Sequence, residues 1–314
     1  MSIIDQVITE NFTAVHGDCV EMLRAMPDAS VGYTIYSPPF ASLYTYSASD
    51  RDMGNVKSHD EFFEHFRFLV PELLRVTKPG RLMSVHCMDL PTSKARDGVI
   101  GITDFRGQLI RIFEECGWIL HSQVVIWKDP VTAMQRTKAL GLLHKQLKKD
   151  SCMSRQGIPD YLINMVKDTG EATQLVTMRK DGDNPERVTH TNESFPVQLW
   201  QRYASPVWMD IDPTDTLQYR SAREHEDERH ICPLQLGVVR RALKMWSNPG
   251  DVVLSPFMGI ASEGYVALEE GRKFVGSELK PSYFGQAVKN LQSVEPNAKG
   301  RQVDLFSAAA GAAE

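Results

Sequence analysis

At 314 residues with a formal net charge of −5, the chain is long enough to bury a large core and too acidic overall to wrap nucleic acid over its whole surface. No stretch reaches the apolar length of a membrane span, and Met1-Ser2-Ile3-Ile4-Asp5 lacks the basic and apolar regions of a signal peptide, which points to the cytoplasm. Cys19, Cys87, Cys116, Cys152 and Cys232 are scattered and never form a Cys-x-x-Cys pair, so neither a disulfide framework nor a zinc ribbon is expected.

The first predicted strand is Phe12 to His16, with Gly17-Asp18 as its exit, followed by a helix from Cys19 to Met26. A turn at Pro27-Asp28-Ala29-Ser30 leads into the strand Val31 to Tyr36, which stops at Ser37-Pro38-Pro39-Phe40. Proline has no N–H for a sheet ladder and fixes its own φ, so the chain must leave the sheet there. The corner carries a small hydroxyl, two carbonyls and an aromatic ring. Those groups can accept hydrogen bonds from an exocyclic amino group and stack on a planar ring, as a flipped-out nucleobase requires. The loop 41–57, with Tyr44, Tyr46, Arg51, Asp52 and Gly54, is long enough to grip a substrate beside that corner.

A second helix starts behind Ser58, with Phe62, Phe66, Leu69, Leu73 and Val76 on one face, and stops at Lys78-Pro79-Gly80. The strand Arg81 to His86, the helix Gln108 to Cys116 and the strand Trp118 to Trp127 follow. This alternation predicts a parallel sheet with crossover helices. His86 and His121 lie in these strands and read as packed or hydrogen-bonded core histidines.

From Lys128 to about Arg223 the rhythm breaks. Arg136, Lys138, Lys145, Lys148, Lys149 and Arg155 stand against the single acid Asp150, and Lys138 to Lys149 has a helical pattern with Leu140, Leu143 and Leu147 on one side. Beside a base-binding corner in an acidic protein, this local basic cluster suits phosphate contact. Ile158 to Val166 reads as a strand and a candidate last member of the sheet, whereas Phe195 to Asp215 reads as irregular structure rich in aromatics. His225, His230 and Cys232 are metal-ligand residue types at a spacing that matches no zinc pattern, so no metal is assigned.

The helix Leu234 to Trp246 enters through Pro233 and ends at Asn248-Pro249-Gly250. Then Asp251 to Gly259 reads as a strand running into a glycine turn, Ser262 to Glu269 as a helix, and Arg272 to Glu278 as a strand. In such a βαβ unit the glycine lets the backbone approach a ligand, and an acid about 20 residues on can bind the hydroxyls of a ribose. The unit is expected to hold a nucleoside-containing cofactor.

Ser37-Pro38-Pro39-Phe40, the turn Ser255-Pro256-Phe257-Met258-Gly259-Ile260-Ala261, and Gly276-Ser277-Glu278 with Tyr283 together resemble the amino-methyltransferases of DNA. Their order, corner first, insertion next and cofactor turn last, is similar to the β-type members. The resemblance implies an α/β, Rossmann-like sheet in circularly permuted order, with S-adenosyl-L-methionine (AdoMet) as cofactor and double-stranded DNA as substrate. It implies catalytic roles for Ser37, Pro38, Pro39 and Phe40, and cofactor contacts from Asp18, Ser255, Pro256, Phe257, Gly259 and Glu278. It divides the chain into a catalytic half (1–127), a target-recognition insertion (128–223), an AdoMet-binding half (224–306) and a frayed tail (307–314). A second copy of the chain and a cognate restriction nuclease are the candidate partners.

Three departures stand out: Ser255 occupies a position that is usually aspartate, and Ile260-Ala261 replace Ser-Gly. The Ser-Pro-Phe version of the turn resembles phage-type members. Serine at the first position of the catalytic motif leans toward cytosine N4 over adenine N6. Attack at cytosine C5 is disfavoured because the chain has no Pro-Cys dipeptide. The rivals are a DNA-binding protein on a degenerate methyltransferase scaffold and an RNA or protein amide methyltransferase.

Overall fold

The computed structural model describes residues 3–39, 59–92, 94–137, 142–149, 156–170, 195–218 and 233–295. The loop 41–57, His225, His230, Cys152 and Cys232 lie outside them. The chain opens with an antiparallel pair, β1 (Ile3–Ile8) and β2 (Phe12–Gly17), and passes through α1 (Cys19–Ala25) to β3 (Tyr33–Tyr36). The long helix α2 (His59–Val76) returns the chain to β4 (Leu82–Cys87). A two-residue pair, β5 (Leu90–Pro91) with β6 (Ile102–Thr103), encloses the short α3 (Lys94–Asp97), and α4 (Phe105–Glu115) leads to β7 (Trp118–Ile126).

The region after β7 contributes α5 (Pro130–Thr137), α6 (His144–Leu147), β8 (Asp160–Lys167), α7 (Val197–Tyr203) and β9 (Val207–Trp208). The chain then runs through α8 (Leu236–Trp246), β10 (Val252–Ser255), α9 (Ser262–Glu269), β11 (Lys273–Glu278) and α10 (Pro281–Val294).

The sheet order is β1-β2-β11-β10-β3-β4-β8-β7-β9. Strands β10 and β11 thus fill the gap between β2 and β3, which brings the cofactor-type βαβ unit beside the Ser37 corner. Strands β2, β11, β10, β3 and β4 are mutually parallel. Alternate residues serve opposite faces: Tyr33, Ile35, Val253 and Phe274 pack under α8, α9 and α10, whereas Tyr36, Val85, Leu254 and Val275 pack under α1, α2 and α4. This period-two division between two apolar layers makes the core a three-layer α/β/α sandwich.

Three expectations need correction. The strand at Asp160–Lys167 is not the last of the sheet: it lies antiparallel between β4 and β7, and the edge is β9. Residues 195–215 are not wholly irregular, since they form α7 and β9, with Trp208 fully buried against α8. The predicted helix from Lys138 to Lys149 reduces, among the described residues, to the four residues of α6, and Leu147 on its expected apolar face is exposed. Strand β1 was not anticipated because its residues are mostly exposed and lack apolar alternation. Among the described residues no helix is long and apolar enough to cross a membrane, and no cluster of three His, Cys, Asp or Glu side chains is placed to hold a metal.

Candidate active site

The carboxyl ends of the parallel strands line one edge of the sheet, the edge at which open α/β sheets bind ligands. β7 shares their direction, being antiparallel to β8, which is itself antiparallel to β4. This edge therefore collects Asp18 after β2, Glu278 ending β11, Ser255 ending β10, Ser37 after β3, His86 near the end of β4 and Lys128 after β7. Asp160 joins them because β8 starts where the others finish.

At the proline corner, Tyr36 and Pro38 are buried while Ser37 and Pro39 are half-buried; Phe40 lies outside the described residues. Ser37 Oγ is 2.9 Å from His86 Nδ1. The other ring nitrogen of His86 is 3.4 Å from Asp160 Oδ2, and Asp160 Oδ1 is 2.5 Å from Lys128 Nζ. Burial of the Asp160 carboxyl would raise its pKa, but the His86 ring and the Lys128 ammonium more than offset this and hold it below the usual aspartate range. The sequence reading assigned no histidine to Ser37. The structure places one in hydrogen-bond contact with it.

The corner touches the second motif directly: the Tyr36 and Phe257 rings are tilted against each other with centroids 5.7 Å apart. In the turn after β10, Gly259 has φ +53° with nothing within 4 Å of where a Cβ would stand, so its backbone faces open space. Ala261 also has a left-handed backbone, φ 65° and ψ 45°, at the entry to α9. The turn is tied to β11 by three hydrogen bonds: Gly259 N–H to Glu278 Oε2 at 3.0 Å, Met258 N–H to the Ser277 carbonyl at 2.9 Å and Ser277 Oγ to the Pro256 carbonyl at 2.8 Å. Glu278 Oε1 accepts from Lys280 N–H at 2.8 Å.

Asp18 caps α1, its Oδ1 accepting from Val20 N–H at 2.9 Å and Glu21 N–H at 3.1 Å. Because Glu278 pairs with His16 across the β11–β2 ladder, Asp18 and Glu278 end neighbouring strands. The buried hydroxyls of Ser255 and Ser262 have no hydrogen-bond partner among the described residues. Glu263, in the first turn of α9, is 4% exposed, and burial pushes its carboxyl up to about 8.

Of the basic cluster, Lys145, Lys148 and Lys149 are exposed on and after α6. Arg136 lies in α5, and Lys138 and Arg155 lie outside the described residues. The sequence reading left His86, Asp160 and Lys128 out of the candidate site. The one available signal was position: His86 sits at the carboxyl end of the strand next to the corner, where a polar side chain reaches the ligand edge.

The family described as DNA methylase matches residues 31–289. The type II methyltransferase M.Cfr9I of Citrobacter freundii is 24% identical, covering 91% of this chain and 89% of that protein. The DNA adenine methyltransferase YhdJ of Escherichia coli is 23% identical, covering 89% and 82%. Among solved structures, the cytosine-N4-specific PvuII DNA methyltransferase superposes with a TM-score of 0.61 at 17% identity, covering 95% of this chain and 92% of that one. With the motif corner and the cofactor-type turn on one sheet edge and the match extending over most of its length, the chain belongs to the DNA methylase family, the amino-methyltransferases that use AdoMet to methylate cytosine N4 or adenine N6.

Proposed function

We propose that this protein methylates the N4 amino group of cytosine in double-stranded DNA. The observation that carries the reading is Ser37: a serine opens the proline motif, and its hydroxyl stands at the ligand edge beside the turn that follows β10. An exocyclic amino nitrogen is a poor nucleophile because its lone pair is delocalised into the ring. Accepting its two hydrogens on Ser37 Oγ and the Pro38 carbonyl favours a pyramidal nitrogen, which is catalysis by orientation and electrostatics. Phe40 takes the stacking role by resemblance.

The residues around the turn suit AdoMet. Open space over Gly259 and the unpartnered hydroxyls of Ser255 and Ser262 offer a cradle and polar groups for the methionine portion. Pro256 and Phe257 shape the turn, and Asp18 and Glu278 border the adenosine portion. AdoMet supplies an electrophilic methyl group there. Exposed Lys145, Lys148 and Lys149, with Arg136, Lys138 and Arg155, contact phosphates in this reading, and residues 128–223 carry target recognition between the catalytic half (1–127) and the AdoMet half (224–306). A second copy of the chain and a cognate nuclease are the partners to look for by sedimentation and by co-purification.

The adenine-N6 reading is supported by the similarity to YhdJ. The test is incubation with labelled AdoMet and unmethylated duplex DNA of mixed sequence, followed by digestion to nucleosides. N4-methylcytosine is the expected product. N6-methyladenine would overturn the base assignment and leave the site residues in place.

A further inference from the structure

Methyl transfer to an amino group leaves the nitrogen with one proton too many, and the corner residues by themselves offer no group that readily keeps it. Ser37 can accept the amino hydrogens only if its own hydroxyl proton points elsewhere. The structure supplies that direction: Ser37 Oγ and His86 Nδ1 are 2.9 Å apart. Asp160 biases the tautomer by its charge, since the buried Nε2 has no hydrogen-bond partner among the described residues. Its carboxylate, 3.4 Å from His86 Nε2, favours the proton on Nε2 and leaves Nδ1 as an acceptor for the Ser37 hydroxyl. Lys128 holds Asp160 ionised from the far side at 2.5 Å. The His86 and Asp160 side chains are only 12% and 6% exposed, so this orientation is shielded from bulk water.

We propose that His86, held by Asp160 and Lys128, acts through Ser37 as the positioning and relay residue that receives the proton released by methyl transfer. The inference rests on the amino-methyltransferase reading of the Ser37 corner and extends it. In the step, the N–C bond forms while the S–C bond breaks and its electron pair stays on sulfur. The surplus proton moves from the amino nitrogen to Ser37 Oγ as the Ser37 hydroxyl proton moves to His86 Nδ1. The imidazolium is stabilised by Asp160 and returns its proton to solvent after product leaves. With the amino group from DNA and the methyl group from AdoMet, the chain supplies the groups that carry the proton away, and the relay serves cytosine N4 and adenine N6 equally, since both amino nitrogens lose one proton.

The experiment is single-turnover methylation of unmethylated mixed-sequence duplex DNA with labelled AdoMet, comparing wild type with His86→Gln, His86→Ala and Asp160→Asn. Dissociation constants for AdoMet and DNA are measured alongside. His86→Gln keeps a hydrogen-bonding side chain but no proton acceptor, and its rate is expected to fall about 100-fold, in the range of a lost acid–base group, with both affinities within about threefold of wild type. Added imidazole is expected to restore rate to His86→Ala in proportion to its concentration, a readout that a structural role would not produce. Asp160→Asn is expected to slow the step less than His86→Gln. A His86→Gln rate within about threefold of wild type, or slowing explained by weaker binding together with no imidazole rescue, would overturn the relay. If His86→Ala does not fold, the other two variants decide the matter. The wild-type digest tests the base assignment separately: N6-methyladenine there removes the cytosine reading, while the variant-to-wild-type ratio still judges His86.

Discussion

The N–H of Gly259 donates to the carboxylate of Glu278 at 3.0 Å across 19 residues of chain, so the side chain that ends β11 also holds the turn that follows β10. The other carboxylate oxygen of Glu278 takes Lys280 N–H. Charge-assisted bonds of this type contribute about 1.5 to 3 kcal/mol each. Glu278→Ala is expected to lower thermal stability and to weaken AdoMet binding by at least tenfold. Glu278→Gln, which keeps one acceptor oxygen, is expected to fall between the two. Calorimetric titration with AdoMet checks both; an alanine variant that binds like wild type would remove Glu278 from the cofactor site.

The features legible in the sequence were local ones. Tyr36 followed by two prolines is a strand stop written in adjacent residues, and Gly259 with Glu278 is a spacing within one βαβ unit. Most helices could be read for the same reason, because Phe62, Phe66 and Leu73 recur on one face. His86, Asp160 and Lys128 could not be grouped beforehand. They come from three separate strand ends, and only the antiparallel insertion of β8 between β4 and β7 brings Asp160 to the edge where the other two finish. A reading that treated β8 as the sheet's last strand had no means of placing Asp160 beside His86. Strand β1 was hidden by its exposure: Ile4 is 68% exposed, so no buried face imposes a pattern.

Ala261 has φ 65°, a left-handed backbone at the position where glycine would carry no Cβ penalty. For an L-residue this conformation costs roughly 1 to 2 kcal/mol, partly offset because glycine is freer in the unfolded chain. Ala261→Gly is therefore expected to raise stability by about 1 kcal/mol or less, with the turn geometry kept. Urea denaturation at constant m-value measures it, and a clear loss of stability would contradict the strained reading of this residue.

Glu263 makes stability depend on pH in a direction opposite to that of most carboxylates. Its carboxyl is raised by burial from 4.5 to about 8 in the folded protein. Between those values the unfolded chain releases the proton and the folded chain keeps it, so the folded state is progressively disfavoured as pH rises. The slope is at most about 1.4 kcal/mol per pH unit. Below the lower value both states are protonated and the contribution is constant. Glu263→Gln cannot ionise, so the difference in unfolding free energy between variant and wild type is expected to move in favour of the variant from pH 5 to pH 8. Paired denaturant titrations at several pH values check this, and a difference that stays flat would show that Glu263 titrates normally.

Arg241 on α8 anchors residues 195–218, the segment that carries α7 and β9. Its guanidinium lies 5.0 Å from the Tyr203 ring centroid and 5.3 Å from that of Trp208, and 2.8 Å from Asp210 Oδ1. The Arg241 side chain is 8% exposed, so its cation–π and ionic contacts are shielded on the α8 side. The hydrogen bond from Arg241 outweighs partial burial and, with Arg202, holds the Asp210 carboxyl down at about 2. Its stabilising contribution is thus complete above the ordinary aspartate range and is lost as pH falls toward 2. Arg241→Leu keeps an apolar stem but leaves Asp210 with Arg202 alone and Tyr203 and Trp208 without their cation. The expected result is faster hydrogen exchange across 195–218 with the exchange of β10 and β11 unchanged. Equal acceleration throughout the sheet would mean that Arg241 supports the whole fold; no acceleration at 195–218 would mean that the burial of Trp208 alone holds the segment in place.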